Sequence, residues 1–143
     1  KNKRKKGEGK NMYFVRNYAN KYNNNKLEID GEKFDSRKEY RFYLYLKDLE
    51  KDNIITDIKR QVKYELQPAF KVAGKTIRSI NYIADFTCKV LDHEKLKNIL
   101  GKPGEESIEN GNTIILDTKG YKTEVYKIKY KLMLYRGYKI LEI

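Results

Sequence analysis

The chain has 143 residues, an apolar content of 39% and a formal net charge of +12. This length suits one domain with a real core and is too short for two ordinary domains. The positive charge favours a polyanionic partner, either nucleic acid or an acidic membrane surface. No apolar run is long enough to cross a bilayer and no signal-peptide pattern opens the chain. We therefore expect a nucleic-acid partner, with no membrane and no secretion.

Cysteine and histidine are too scarce for several kinds of site. Cys88 is the one cysteine and His93 the one histidine, so an internal disulfide, a zinc cluster or a Cys–His catalytic pair cannot be assembled. Cys88 lies in an apolar stretch and is expected to be a small buried thiol. Any metal ion must therefore be held by oxygen ligands.

The N-terminal segment 1–25 is predicted to be a basic arm. Its first ten residues are almost entirely Lys, Arg, Gly and Asn, and 11–25 has the apolar spacing of a short helix. The basic run cannot bury enough surface to fold alone, so it could touch phosphates or could be a solvated tail. The remainder, 26–143, is predicted to be the folded domain.

A helix is predicted at 36–52, after a turn at Asp30 and Gly31. Ser36 and Glu39 have the spacing of a capping box, and an apolar stripe follows at helical intervals. Glu39 lies on that stripe. Because the stripe must face the core, the helix should aim a carboxylate at the sheet.

Strands are predicted next, at residues 54–66, 70–72 and 77–90, the first with residues 58, 60, 62, 64 and 66 on one face. The turn at 73–75 would make them an antiparallel meander. Asp85 interrupts an otherwise apolar run in the last of them. The polar connection 92–112, with a short helix at 94–100, is predicted to be a loop or lid insertion that contributes little core.

The stretch 113–119 (TIILDTK) is an apolar strand that ends in two charges. Asp117 and Lys119 are two residues apart, so they would project from the same face. Gly120 ends the strand. A last strand, 138–143, could pair parallel to this central one because a helix separates them.

The segment 121–136 is predicted to be that helix, with two different faces. Its predicted apolar face contains Tyr121, Val125, Ile128, Leu132 and Tyr135. The rest is basic, with Lys122, Lys127, Lys129 and Lys131. These lysines could form a solvated face or a surface that binds phosphates.

Four residues are of the types that phosphodiester hydrolysis requires. A hard cation offsets charge on the scissile phosphate, and Asp85, Asp117 and the Thr118 carbonyl could be its oxygen ligands. Lys119 could orient or deprotonate the attacking water and stabilise the developing charge. Glu39 could complete the shell directly, through a water, or at a second metal ion.

Most of the residues considered also have a structural explanation. Capping alone accounts for Glu39, and an exposed Asp117–Lys119 pair at a strand end is nearly neutral in energy. Gln61 is the type of residue found on strand surfaces. Asp85 is harder to explain in this way, because a lone carboxylate among apolar residues is costly unless it is paired or bound to a cation.

The order helix-Glu, strand-Asp, strand-Asp-x-Lys, helix resembles the core of the PD-(D/E)xK nuclease superfamily, which includes restriction endonucleases and Holliday-junction resolvases. More closely, the chain from 26 to 143 resembles a phage and prophage family formerly of unknown function (DUF1064-like). The segments concerned are FDSRKE at 34–39, RQ at 60–61, LQP at 66–68, YIADF at 82–86, and DTKG at 117–120 with Thr123, Tyr126 and Lys129. The chain departs from the pattern in beginning its acid-x-lysine element with Asp rather than Glu, and in its long 92–112 connection.

The resemblance implies a restriction-endonuclease-like core, a DNA substrate and Mg²⁺ or Mn²⁺. It implies that the catalytic set is Glu39, Asp85, Asp117 and Lys119. It also implies that Gln61 and Lys129 are auxiliary contacts to the site or the phosphate. We therefore predict an α/β domain whose central mixed β-sheet is flanked by α-helices. Its predicted function is that of a metal-dependent DNA endonuclease in the cytoplasm of a bacterial host.

The DNA substrate could be branched or duplex, and recombination or junction processing would suit such an enzyme. One alternative is a non-catalytic DNA-binding accessory protein of phage replication, recombination or packaging on the same fold. Another is a ribonuclease or RNA-binding protein. A homodimer would suit symmetrical cleavage of a four-way junction, although no stretch of sequence marks an interface.

Overall fold

The computed structural model describes residues 27–101 and 111–143. The predicted arm 1–25 and part of the predicted insertion, 102–110, lie outside these residues. Strands and helices are numbered here in chain order. They are β1 (Leu27–Ile29), β2 (Glu32–Phe34), α1 (Arg37–Lys51), β3 (Ile55–Gln67), β4 (Phe70–Val72), β5 (Lys75–Ile77), β6 (Ile80–Val90), α2 (His93–Leu100), β7 (Thr113–Asp117), α3 (Glu124–Tyr135) and β8 (Ile140–Glu142).

The main sheet has four strands in the order β3-β6-β7-β8. β6 pairs antiparallel with β3 and with β7, whereas β8 pairs parallel to β7 after the connection through α3. The protein therefore has an α/β fold with a mixed sheet, and the predicted parallel last strand is confirmed. The predicted meander is wrong in one respect. Among the described strands β4 and β5 pair only with each other, because the turn at Ala73 and Gly74 closes a separate hairpin.

Helices cover both faces of this sheet, and each face has its own apolar core. α1 and α2 pack with Phe86, Ile114 and Leu116 on one face, and α3 packs with Tyr82 and Ile115 on the other. Three consecutive residues of β7, Ile114, Ile115 and Leu116, are at most 1% exposed, so this strand is covered on both sides. A charge at its end is therefore placed where water has little access.

α1 begins where the sequence predicts and buries the predicted stripe. Ser36 is the N-cap, and its hydroxyl oxygen accepts a 3.1 Å hydrogen bond from the Glu39 N–H. Phe42, Leu46 and Leu49 are at most 5% exposed, and burying such side chains contributes about 1.5–3 kcal/mol each. Glu39 is 2% exposed, so the prediction that this helix directs a carboxylate inward is confirmed.

α3 turns a different face to the sheet from the one predicted. Its buried residues are Tyr126 and Met133. Four members of the predicted apolar face are between 60% and 88% exposed: Tyr121, Val125, Ile128 and Tyr135. Apolar residues lie almost all round this helix, so its spacing fits more than one stripe. Packing against the sheet selects among those stripes, and the sequence of the helix alone does not.

α2 confirms the predicted short helix and adds to the core. The Asp92 carboxylate accepts a 3.0 Å hydrogen bond from the Lys95 N–H and caps the helix. Leu96 is fully buried in the same core as Phe42 and Phe86, so the prediction that this connection contributes little core is wrong. Leu96, Ile99 and Leu100 share one side of the helix, which suffices to seat it on the sheet. None of the three helices described is long and apolar enough to span a membrane.

β3 and β6 form a long ribbon that changes sides near Gln61. Ile58 packs into the core under α1, whereas Tyr64 and Leu66 pack into the core under α3. The prediction that these three residues share one face of the strand is therefore wrong. The β3–β6 register continues unchanged through Gln61, and Gln61 itself has a left-handed backbone, with φ of 51°.

Candidate active site

The register of β6 and β7 places Asp85 beside Asp117. Leu116 pairs with Phe86 at the last recorded position of this antiparallel ladder, so the next residue on each strand, Asp117 and Asp85, occupies the adjoining position. Asp117 is 0% exposed and Asp85 is half-buried. The two acids that the sequence analysis selected in apolar strands therefore lie together at the end of β7.

Asp117 is held on both of its oxygens. The Tyr82 hydroxyl donates a short hydrogen bond to Oδ2, and Lys119 Nζ lies 2.9 Å from Oδ1. Oδ1 is buried, and the ammonium of Lys119 is the one donor group that approaches it among the described residues. Burial, and next the charge of Asp85, raises the pKa of Asp117 to about 6, although Tyr82 and Lys119 act to lower it.

Asp85 is fixed by the residue that follows Asp117. The Thr118 N–H and the Thr118 hydroxyl both donate 2.7 Å hydrogen bonds to Asp85 Oδ2. The other oxygen, Oδ1, has no donor in the described part of the chain and stays available to a ligand. Thr118 therefore lies beside Asp85, which it contacts through its N–H and hydroxyl, whereas the predicted role of its carbonyl as a metal ligand stays a prediction.

Glu39 reaches the same region from α1. Its Oε2 accepts a 2.8 Å hydrogen bond from the Asp35 N–H, and its Oε1 accepts a 3.2 Å hydrogen bond from the Gln61 amide. The Arg60 guanidinium lies 3.6 Å from Oε1. Burial raises the pKa of Glu39 against the effect of these hydrogen bonds, and the charge of Asp85 raises it further. Glu39 is thus close enough to Asp85 for the two carboxylates to repel.

Gln61 connects Glu39 with the strand that carries Asp85. The ladder of β3 and β6 pairs Arg60 with Phe86 and Val62 with Ala84, so Gln61 lies opposite Asp85 without a recorded pair of its own. Its φ of 51° is in the left-handed region that favours glycine. Residues other than glycine that are held in this strained backbone conformation are often found at functional sites. The predicted role of Gln61 as a contact to the site is consistent with this position.

Lys38 is a site residue that the sequence analysis did not select. Its ammonium donates hydrogen bonds to the Lys119 carbonyl at 3.2 Å and to the Ile143 carbonyl at 2.5 Å. Burial lowers the pKa of Lys38, while the charges of Asp85 and Asp117 act in the opposite direction. Lys38 therefore lies within the field of both acids. Its only sequence signal is its place beside Glu39 in the segment 34–39.

Glu142, at the end of β8, is a second residue near the site that the sequence analysis did not select, and it joins α3 to the site. Glu142 pairs with Asp117 in the parallel register of β7 and β8. The Tyr126 hydroxyl donates a 2.7 Å hydrogen bond to Glu142 Oε1, and Lys122 forms an ion pair with the same carboxylate. The Tyr126 ring also lies 5.2 Å from Lys119 Nζ, which fixes the position of α3 relative to the acid–lysine pair.

The four lysines predicted to bind substrate on α3 differ in their surroundings. Lys122 pairs with Glu142, and Lys127 pairs with Glu124 at 2.6 Å. Lys129 is half-buried and Lys131 is exposed. The structure therefore commits the first two lysines to acids of the protein itself, and it leaves the other two as the better candidates for contacts to a phosphate.

Asp85 and Asp117 are adjoining carboxylates of the type that a hard divalent cation prefers: the hydrogen bonds of Asp85 use Oδ2 alone, and Asp117 Oδ1 is approached only by the ammonium of Lys119 among the described residues. Across residues 27–101 and 111–143 no three acidic, His or Cys side chains are grouped closely enough to form a metal site. Both oxygens of Glu39 already accept hydrogen bonds, from Asp35 and Gln61. The two aspartates are thus the direct ligands that the arrangement supports.

These features define the class: an α/β protein whose mixed sheet carries a buried aspartate paired with a lysine, with further acids near it. The chain belongs to the family described as "Protein of unknown function (DUF1064)", which it matches over residues 19–109. That match includes Glu39, Gln61 and Asp85 and ends before Asp117 and Lys119. No curated protein and no solved structure matches the chain. The predicted family membership is confirmed, and the function has to be argued from the site.

Proposed function

We propose that this protein is a Mg²⁺- or Mn²⁺-dependent DNA endonuclease with a PD-(D/E)xK core, of phage or prophage origin and acting in the bacterial cytoplasm. One observation carries the proposal: Asp85 and Asp117 adjoin on two strands, and Lys119 Nζ lies 2.9 Å from Asp117 Oδ1. Burying two neighbouring acids is costly. A divalent cation that binds both would offset this cost, which gives a reason for their position.

Asp85 and Asp117 would hold the cation, and the bound cation would offset charge on the scissile phosphate. Thr118 and Tyr82 keep the two carboxylates in place through their hydrogen bonds. Glu39 would act through a water, because both of its oxygens already accept hydrogen bonds from the protein.

Lys119 would orient the attacking water and stabilise the negative charge that develops on the phosphate. Lys38 holds the Lys119 backbone carbonyl, so it would act by positioning. Lys129 and Lys131 have no ion pair among the described residues and would contact phosphates of the DNA backbone, together with Gln61 near the site.

Incubation of supercoiled and branched DNA with the protein in Mg²⁺, Mn²⁺ or EDTA tests this proposal. We expect cleavage with either cation and none in EDTA, and a fall of about a hundredfold or more for Asp117→Asn or Lys119→Ala. Asp48 and Lys51 form an exposed acid–lysine pair 3.4 Å apart on α1, so Asp48→Asn and Lys51→Ala are matched controls that should cut normally. Cleavage that survives Asp117→Asn would remove these residues from the mechanism.

The hydrogen bonds of Glu39 favour a second candidate. A carboxylate whose two oxygens bind Asp35 and Gln61 serves the fold as it stands, as expected of a DNA-binding accessory protein that does not cut. DNA binding without cleavage in any divalent cation would support this candidate. The same assay with RNA distinguishes both from a ribonuclease or an RNA-binding protein.

A further inference from the structure

The β4–β5 hairpin stands apart from the main sheet. Its two strands pair with each other through Phe70–Ile77, Lys71–Thr76 and Val72–Lys75. Ala73 and Gly74 both have positive φ, 47° and 75°, as in the tight turns that match hairpin twist. Every residue from 68 to 78 is exposed. The hairpin therefore contributes nothing to either core, and its sequence is not explained by folding.

One face of this hairpin is apolar. Phe70 and Val72 are two residues apart on β4 and so share a face, and Ile77 lies opposite Phe70. Phe70 is 45% exposed, Val72 52% and Ile77 41%. Three neighbouring apolar side chains on a projecting hairpin form a patch of the kind that marks a binding surface.

All charged residues of the same hairpin are cations. Between 68 and 79 the charged residues are Lys71, Lys75 and Arg78, with no acid among them. None of these three forms an ion pair with any other residue that the structure describes, whereas Lys47, Lys51 and Lys95 on the helices all do. An exposed group of unpaired cations is complementary to a polyanion.

The hairpin is joined to the candidate active site by the ribbon of β3 and β6. β7 pairs with β6 only as far as Phe86, whereas β3 continues along β6 to the pair of Gln67 with Ile80. The ribbon therefore extends five residues beyond Asp85, which corresponds to roughly 17 Å. At a rise of about 3.4 Å per base pair, this length spans about five base pairs of DNA.

The ribbon has one open face that leads from the site to the hairpin. Leu66 and Tyr82 are buried under α3 on its other face. On the open face Lys63 pairs with Ile83, and Ile83 is 50% exposed. A cation beside an exposed apolar residue is thus repeated between the site and the hairpin.

We propose that the hairpin and the open face of this ribbon form a DNA-binding arm. Lys71, Lys75 and Arg78 bind phosphates, and the apolar patch of Phe70, Val72 and Ile77 contacts the faces of bases at an opened step about five base pairs from the cut. Phosphates attract cations but offer nothing to apolar side chains, which gain by contact with unstacked bases. The arm rests on the proposed function in that it takes DNA as the substrate.

The test uses the full chain with Asp117→Asn, a variant that should bind DNA without cutting it. Its affinity is measured over a range of KCl concentrations for two labelled duplexes, one fully paired and one with a two-base mismatch. A cation-deficient variant has K71S, K75S and R78S, and its charge-matched control has K47S, K51S and K95S. An apolar-deficient variant has F70S and V72S. Its exposure-matched control has L44S and L91S, at positions 45% and 55% exposed.

We expect the cation-deficient variant to bind at least about tenfold more weakly, with the slope of log affinity against log salt reduced by up to about 2.7. The apolar-deficient variant should lose about tenfold on the mismatched duplex, less on the paired one, with its salt slope unchanged. Both controls should bind within about twofold of their parent. Because the altered residues are exposed, thermal unfolding should be unchanged, and a variant that fails this check is replaced by its single substitutions.

Equal binding by all variants would overturn the proposal that the hairpin and ribbon form a DNA-binding arm. So would tighter binding, through the same residues, to an RNA hairpin or to vesicles containing phosphatidylserine. The proposed endonuclease is judged separately, by cleavage with the wild-type chain. Cleavage together with unaffected arm variants rejects the arm alone, whereas DNA binding through the arm without any cleavage rejects the endonuclease alone.

Discussion

Asp117 is the residue at which stability and chemistry conflict most. Its carboxylate is wholly buried, and burial followed by the charge of Asp85 raises its pKa to about 6. In an unfolded chain an Asp carboxyl has a pKa of about 3.9. The folded state therefore binds this proton more tightly, so the stability that Asp117 contributes is full below about pH 4 and is lost as pH rises through about 6.

We therefore expect Asp117→Asn to be more stable than the wild type in EDTA at about pH 8, by about 1–3 kcal/mol. A pKa difference of about 2 units, which already includes the effect of Lys119, corresponds to about 3 kcal/mol and sets the upper end of this range. The gain should largely disappear by about pH 4. Urea unfolding at the two pH values measures it, and the exposed Asp48→Asn should show no such gain. An Asp117→Asn protein less stable than the wild type at about pH 8 would contradict the prediction.

Lys38 is expected to position Lys119. Its ammonium binds the carbonyls of Lys119 and Ile143, so Lys38→Ala should lower the unfolding free energy by about 1–2 kcal/mol. It should also slow single-turnover cleavage under conditions in which the variant is fully folded, and Lys38→Arg should restore part of the rate. Urea unfolding and rapid-quench cleavage give the two readouts. A Lys38→Ala protein that cuts at the wild-type rate would show that the contact is structural only.

Helices and strands could be predicted where their signals are local. The cap at Ser36 and the stripe that contains Glu39 lie within one helix, and both are confirmed. The buried face of α3 could not be predicted, because apolar residues surround that helix and the sheet makes the choice. Alternation likewise shows that Asp85 and Asp117 each lie in a strand. It does not show that the two strands pair in the register that joins them.

The irregular part of β3 also yields a prediction. Gln61 adopts a left-handed backbone and donates to Glu39. Gln61→Ala and Gln61→Gly both lose the hydrogen bond, but only glycine adopts positive φ without strain. We expect the glycine variant to be about 1 kcal/mol more stable than the alanine variant in urea unfolding. At Lys63, an exposed position of the same strand, the order should reverse, since glycine weakens a regular strand. Equal stabilities of the Gln61 variants would argue against strain in the left-handed backbone at this position.

Across the whole protein, the site is assembled from residues that are far apart in the chain. Tyr82 binds Asp117 across 35 positions, and Lys38 binds Ile143 across 105. No local pattern reports such contacts, which is why Tyr82, Lys38 and Glu142 were not selected from the sequence. The two cores that hold these residues leave two acids side by side in a chain of net charge +12. Folding and cation binding should therefore be linked.

That linkage is the broadest prediction. A cation that binds the folded state and not the unfolded chain should add about 2.7 kcal/mol at a concentration 100 times its dissociation constant. Mn²⁺ should therefore raise the unfolding temperature of the wild type, and Asp85→Asn or Asp117→Asn should abolish the shift. Asp48→Asn should retain it, and KCl at matched ionic strength should not reproduce it. A shift that persists in Asp85→Asn would place the cation elsewhere, and no shift in the wild type would mean that these carboxylates do not bind it.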